Sequence, residues 1–444
     1  MTSLVKVRAA LTAASTENAT LFTSLIDSCG LAPYSWKGKD AAKRKLGLDG
    51  PDAVWYPVMA RNQAPVGLPK TLTAKDLQEI VLRDLPSARE YFGDRLEYFT
   101  AFDPAQDSNE TSEEDAGMQV INNLAAASDG ASGVIVSFPS ESLEEMCREK
   151  LIHPENLLRS VMTTCTVLQG DTLLSLQHNN EGTTVATLLY GSVAWIVWPP
   201  SDHNMNTLQT AYEQYAQDFD EAKMEVAKDL HGGQIFVQTA GDALRIPPFC
   251  LMMSLALKTS VLTTNSHFIV ENFIDMLSKL PLLYAWYKTE TDGERHQSEF
   301  NCSMLRYLDL MLNDDGTEEN RNMLKLPRTK DGLLDSLFSI WDSTKDDLAA
   351  IMGPADSVTM VKIWEEFLIS IPGRECRMCN KSVRSKKLVK KHFIDAHWVK
   401  LKKRHDWGRA VVPNKDVGES AQQAEGAIVV DDDDDDDEEV EADE

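Results

Sequence analysis

Cysteine is scarce for a chain of this length. Seven cysteines in 444 residues cannot form a disulfide framework, and Cys29, Cys147, Cys165, Cys250 and Cys302 follow no regular spacing. Those five read as reduced, structural thiols. Long apolar runs are missing too: none reaches the ~18 residues that a membrane-crossing helix needs. Residues 1–22 mix Lys6, Arg8 and Glu17 among apolar ones, unlike a secretory leader. The expectation is a soluble intracellular protein with no membrane partner. No G-x-x-x-x-G-K-[ST] or G-x-G-x-x-G is present to cradle a phosphate.

Positive charge is also in short supply, with 44 Lys and Arg against 70 Asp and Glu and a net charge of −26. The balance is uneven. Residues 374–409 carry 13 Lys and Arg against three acids, about +10, which leaves −36 for everything else. Most of the surface therefore repels nucleic acid, and one short stretch attracts it. At this length two or three domains are expected, and a 43% hydrophobic content is ample for their cores.

Periodicity divides the chain. Residues 1–102 read as a mostly helical region, in which Thr73 and Asp76 form a helix start and Leu77, Ile80, Val81 and Leu85 recur on one face. Residues 103–116 are acidic and read as a linker. Short apolar runs at 160–168, 183–189, 194–198, 234–238 and 254–262, separated by Gly, Asp, Asn and Pro, predict a β-sandwich or barrel within 117–266. An acidic amphipathic helix at 208–230 interrupts it. Residues 267–372 read as helical, with Leu334, Leu337, Phe338, Trp341, Leu348, Ile351, Val361, Trp364, Phe367 and Leu368 spaced as core stripes. Residues 410–444, ending in seven Asp at 431–437 and further acids, cannot bury enough apolar surface to fold and read as a disordered acidic tail.

Cys376, Cys379, His392 and His397 are spaced C-x2-C-x12-H-x4-H, which lets a hairpin and one helix offer four ligands to an ion. Val383 and Val389 fit the small apolar core beneath such a site. The segment 374–405 resembles a C2H2-type zinc finger of ββα form with a basic helix, and the resemblance implies Zn(2+). In that family the bases are read from positions that fall here on Ser385, Leu388 and Lys391. Leu388 suits base recognition poorly, and one finger covers about three base pairs. Lys386, Lys387, Lys390, Lys391, Lys400, Lys402, Lys403 and Arg404 instead offer phosphate contacts to DNA or RNA. The same cluster could serve as a nuclear import signal, a protein contact or simply a solvated face.

Two further segments carry a resemblance. Gln177-His178-Asn179-Asn180-Glu181-Gly182-Thr183 precedes Gly191, Trp195 and Pro199-Pro200, and Gly241-Asp242-Ala243-Leu244-Arg245-Ile246-Pro247-Pro248 follows. Together they resemble the JmjC domain of Fe(II) and 2-oxoglutarate oxygenases, in its fungal branch. The resemblance covers about a quarter of the chain and implies a cupin-like double-stranded β-helix barrel. It also implies an iron held by two His and a carboxylate, and here the pattern departs. The H-x-D positions fall on Gln177 and Asn179, or on His178 and Asn180 if the register slips by one, and the distal His falls at Met252 or an immediate neighbour. Val193 stands where many members place a Lys for the co-substrate. The barrel therefore reads as a degenerate pseudo-oxygenase that does not use Fe(II) or 2-oxoglutarate. The alternative is an active protein hydroxylase or demethylase with substitute ligands among Glu181, His203 and His231.

Two other features remain. His231-Gly232-Gly233 resembles an esterase oxyanion turn, but no G-x-S-x-G supplies a nucleophile. Ile428, Val429 and Val430 run into the Asp tract and resemble a SUMO-interacting motif, which implies a strand added to a partner's sheet. The whole reads as an α+β protein: a JmjC-like barrel embedded in helical regions, a zinc finger and an acidic tail. The function expected is that of a nuclear, or nuclear and cytoplasmic, regulatory or chromatin-associated scaffold. A nucleic-acid-binding factor with the barrel as spacer is a further alternative.

Overall fold

The structure is a computed structural model. It describes residues 7–9, 11–12, 16–26, 29–31, 58–60, 72–92, 100–102, 135–148, 157–160, 163–179, 181–290, 293–313, 331–370, 374–376, 378–385 and 387–398. Helix α1 (Glu17–Ile26), strands β1 (Gly30–Leu31) and β2 (Val58–Ala60), helix α2 (Ala74–Phe92) and strand β3 (Thr100–Phe102) come first. Strand β4 (Ile135–Pro139) and helix α3 (Glu141–Arg148) lead into β5 (Leu157–Ser160), β6 (Thr164–Leu168), β7 (Leu173–His178), β8 (Thr183–Tyr190) and β9 (Ser192–Trp198). Helices α4 (Asp202–Tyr215) and α5 (Phe219–Lys228) precede β10 (Gln234–Thr239), β11 (Ala243–Ile246), β12 (Leu251–Ala256) and β13 (Ser260–Ile269). The rest is helical: α6 (Val270–Leu277), α7 (Leu280–Tyr287), α8 (Gly293–Leu312), the long α9 (Asp331–Ser370) and α10 (Lys387–Ala396).

The strands form two sheets, making this a mixed α+β protein. One sheet has the order β1-β10-β9-β12-β7 and the other β2-β11-β8-β13-β6-β4-β3, with β5 also on β13. Described pairings are antiparallel apart from the two-residue β1–β10 pair. Strand β9 shows how the layers arise. Alternate side chains point to opposite faces, so Val193, Trp195 and Val197 meet Leu244, Ile246 and Leu262 between the sheets. Ala194, Ile196 and Trp198 face the other way and join Leu208, Leu283 and Trp341 in the helical layer. A strand buried on both faces reads as one continuous apolar run, as this one does. On the far side, Leu77, Ile80 and Val81 of α2 cover Val136, Phe138 and Val167 of the second sheet. The start of α2 is the expected capping box: Thr73 N donates to Asp76 Oδ2 (2.7 Å), and Asp76 N donates to Thr73 Oγ1 (3.3 Å).

Two differences from the sequence expectation have local causes. The apolar run 254–262 is two strands, β12 and β13, because a reversal at Lys258 separates segments that are both buried; Ser260 Oγ closes it on Lys258 O (2.7 Å). The helix at 208–230 is two, α4 and α5, which begin at Asp202 and end at Lys228 and break at Ala216, where φ is +44°. In the mostly helical N-terminal region the short strands β1, β2 and β3 lie at the sheet edges. Strands of two or three residues are too short to show a period.

Candidate metal centre

The metal cluster is built from a turn and a helix end. Residues 374–385 fold back on themselves: Glu375 bridges Ser382, Cys376 N donates to Lys381 O (3.0 Å), and Val383 N donates to Arg374 O (2.8 Å). Asn380 closes the turn after the second cysteine at φ +55°, with its N–H on Cys376 O (2.7 Å). Asparagine is among the few residues that take this conformation at little cost. Helix α10 supplies His392, and a final turn, His397 N on Phe393 O (2.7 Å), supplies His397. Val389 is buried and Val383 half-buried against the core, as expected of the small apolar floor.

One ligand atom from each of Cys376, Cys379, His392 and His397 lies within 4.8 Å of every other, so these four side chains could hold one metal ion. Cys379 Sγ and His392 Nε2 are 3.2 Å apart. The cluster has a closed side and an open side: Cys376 and His397 are buried, Cys379 is exposed and His392 is half-buried. His397 Nε2 is a buried ring nitrogen with no hydrogen-bond partner, which leaves its lone pair available to an ion. The electrostatics agree. Desolvation pushes the Cys376 thiol up and, with the nearby His397, holds the His392 imidazole down. A cation would offset the first effect by taking the thiolate.

This module is docked, not free-standing. Phe393 stacks on Trp364 with ring centroids 4.9 Å apart, Trp364 meets Trp341 at 4.6 Å, and Trp398 lies over Trp341 at 6.1 Å. Trp341 Nε1 donates to His397 O (3.1 Å), and His397 Nδ1 lies 2.9 and 3.1 Å from the carboxylate oxygens of Asp342. Burial tends to raise the Asp342 carboxyl, but hydrogen bonds from Lys345 and His397 outweigh this and hold it below its ordinary value.

Docking sorts the basic residues. Lys390 Nζ pairs with Glu365 Oε1 of α9 (2.9 Å), whereas Lys391, Ser385 and Leu388 face solvent. Lys387 is in α10, but its side chain lies outside the described residues, as do Lys386, Lys400, Lys402, Lys403, Arg404, Ile428, Val429 and Val430.

The positions assigned to iron ligands fall on two faces. Gln177 of β7 stands opposite Met252 of β12, and Met252 packs into the cluster between the sheets. Gln177 itself is exposed on an edge strand. His178 pairs with Leu251 and points into the helical layer, where its Nδ1 meets Tyr212 Oη (2.9 Å) and Trp286 and Phe249 flank its ring. Burial drives its pKa down to about 4, so the imidazole is neutral. Asn179 is 4% exposed and fully engaged: its amide nitrogen donates to Gly182 O (3.0 Å), Ile246 O (3.1 Å) and Pro247 O (2.9 Å), and its oxygen accepts from Thr184 Oγ1 (2.8 Å). Asn180 lies outside the described residues. Glu181 is half-buried, and His203 and His231 stack on each other at the surface, 4.0 Å apart. Among the described residues, the Cys2His2 group is the one set of three or more His, Cys, Asp or Glu close enough to share an ion.

Fold and site together define an α+β protein with a docked Cys2His2 cluster able to hold a metal ion. No family model and no curated protein matches the chain. All four members of this cluster were legible in the sequence, whereas Asp342 and Trp341 were not legible as their neighbours. Trp341 was legible only as part of an apolar stripe, and Asp342 carried no signal, since 55 positions separate it from His397.

Proposed function

We propose that the chain is a zinc-stabilised, non-enzymatic scaffold of the nucleus. A degenerate JmjC-like barrel and its helical layer form the body, and the docked zinc finger turns a basic face outward to nucleic acid or to a chromatin protein. The observation that carries this reading is the Cys2His2 cluster, four donor atoms gathered within 4.8 Å. Two sulfurs and two imidazole nitrogens suit tetrahedral zinc better than the harder cations, which prefer oxygen. Four protein donors fill that geometry and leave no open position, which is the pattern of a structural rather than a catalytic ion.

The scaffold half of the proposal is supported by Asn179. Its amide protons are taken by three backbone carbonyls, so the carboxylate that a facial iron site needs would face three oxygens there. The outward face of α10, with Lys391 and Leu388 exposed, favours phosphate and general apolar contact over base reading. Anaerobic loading of the full chain with Fe(II) and 2-oxoglutarate, followed by desalting and metal analysis, tests this. The proposal expects no stoichiometric iron. One equivalent of iron that persists after Cys376→Ser and Cys379→Ser would overturn it in favour of an oxygenase.

A further inference from the structure

His397 links the Cys2His2 cluster to helix α9. Its side chain is nearly sealed, 5% exposed, whereas that of Asp342 is 51% exposed. Its Nδ1 meets both carboxylate oxygens of Asp342, and its Nε2 has no partner. The same carboxylate receives Lys345 Nζ at 2.8 Å, one turn further along α9. Immediately before it, Trp341 donates to the His397 carbonyl. Two consecutive residues of a helix outside the finger thus hold both the ring and the backbone of one ligand.

The chemistry of this contact has a direction. A neutral imidazole carries one ring proton, and a carboxylate at Nδ1 keeps it there. The lone pair then sits on Nε2, the nitrogen left without a partner. A plain ion pair between exposed groups would contribute little and would not require a sealed ring. Carboxylates behind metal-bound imidazoles fix the ring's tautomer and orientation and strengthen it as a donor.

We infer that Asp342 is the positioning residue of the metal centre, so that the ion is held jointly by the finger and by α9. This rests on the metal reading above. Metal affinity and the docking of α10 on α9 are then one linked equilibrium: whatever tightens the Trp341, Trp364 and Phe393 contacts tightens the ion, and the reverse.

The test is chelator competition for Zn(II) on the full chain, with Co(II) absorption as a second readout. Asp342→Asn keeps the side chain's size and removes its charge; the inference expects an affinity loss of about 10- to 100-fold and an altered Co(II) spectrum. Asp342→Glu, which keeps the carboxylate, is expected to recover most of that loss. His397→Cys supplies a fourth ligand without an Nδ1, and in that background Asp342→Asn is expected to add no further loss. An unchanged affinity in Asp342→Asn would overturn the inference. So would an equal loss in the Glu and Asn variants, or the same loss in the His397→Cys background, since either would mean that Asp342 acts on the fold and not through the ring. A wild-type chain that binds neither ion would overturn the metal reading itself, and the inference with it.

Discussion

Asn179 shows how one atom decides what a position can do. Changing its amide nitrogen to oxygen in Asn179→Asp would set a buried carboxylate against the carbonyls of Gly182, Ile246 and Pro247. Loss of the two N–H donors that these three carbonyls share, and burial of an unpaired charge, should cost several kcal/mol, on the order of 3 to 5. Urea unfolding at pH 7 measures it, and a cost under about 1 kcal/mol would mean that the amide is not engaged. His178 yields a second prediction. Its pKa falls from 6.5 to about 4 in the folded state, so the unfolded chain binds the proton more readily between those values. Stability is therefore full above pH 6.5 and falls as the pH drops toward 4. Between pH 7.5 and pH 5 this group should remove about 2 kcal/mol. Asp275, raised to about 6 by burial, works in the opposite direction over the same range. The informative quantity is the difference in pH slope between wild type and His178→Gln; equal slopes would contradict the assignment. The chemistry of both positions was half legible in sequence. That neither carries a carboxylate was plain, but which of the two registers faces the inter-sheet space was not. Register depends on an irregularity between Met252 and Ser254 in the pairing of β12 with β7, and one residue of slip moves every side chain to the other face.

Among the elements, α9 anchors the Cys2His2 cluster. It carries Trp341, Asp342 and Trp364 and bends at Gly353, where φ is +72° and ψ is −178°, ahead of Pro354. Helix α8 grips both sides of the bend, with Gln297 donating to Ile351 O and Asn301 donating to Asp356 Oδ2 (2.9 Å). A Cβ at Gly353 would meet nothing within 4 Å, so a substitution is opposed by backbone strain alone. Gly353→Ala should cost about 1 to 3 kcal/mol in chemical denaturation. No loss would show that the bend relaxes without glycine. The apolar stripe of α9 was readable from its spacing of three and four, because burial on one face imposes that period. The bend was less so: glycine followed by proline marks a break, but only the packing of α8 sets its angle.

At the scale of the whole molecule, the sequence sets the Cys2His2 segment apart from the rest, and the fold packs it on α9. The switch from short apolar runs to helical periods near residue 267 corresponds to the end of β13 and the start of α6. The four members of the Cys2His2 cluster follow from spacing alone, because a hairpin and a helix turn have fixed dimensions. Their attachment to α9 does not, because packing between distant segments leaves no period in either. Phe393, the residue after His392, illustrates this: it lies outside the apolar pattern of Val383 and Val389 and is buried by Trp364. On the proposed reading, Cys376, Cys379, His392 and His397 hold one structural ion. The most direct test is the zinc content of the full chain and of the Cys376→Ser, Cys379→Ser double variant after dialysis against a weak chelator. The account predicts one equivalent of zinc in the wild type and none in the variant. No zinc in the wild type, or an undiminished equivalent in the variant, would contradict it.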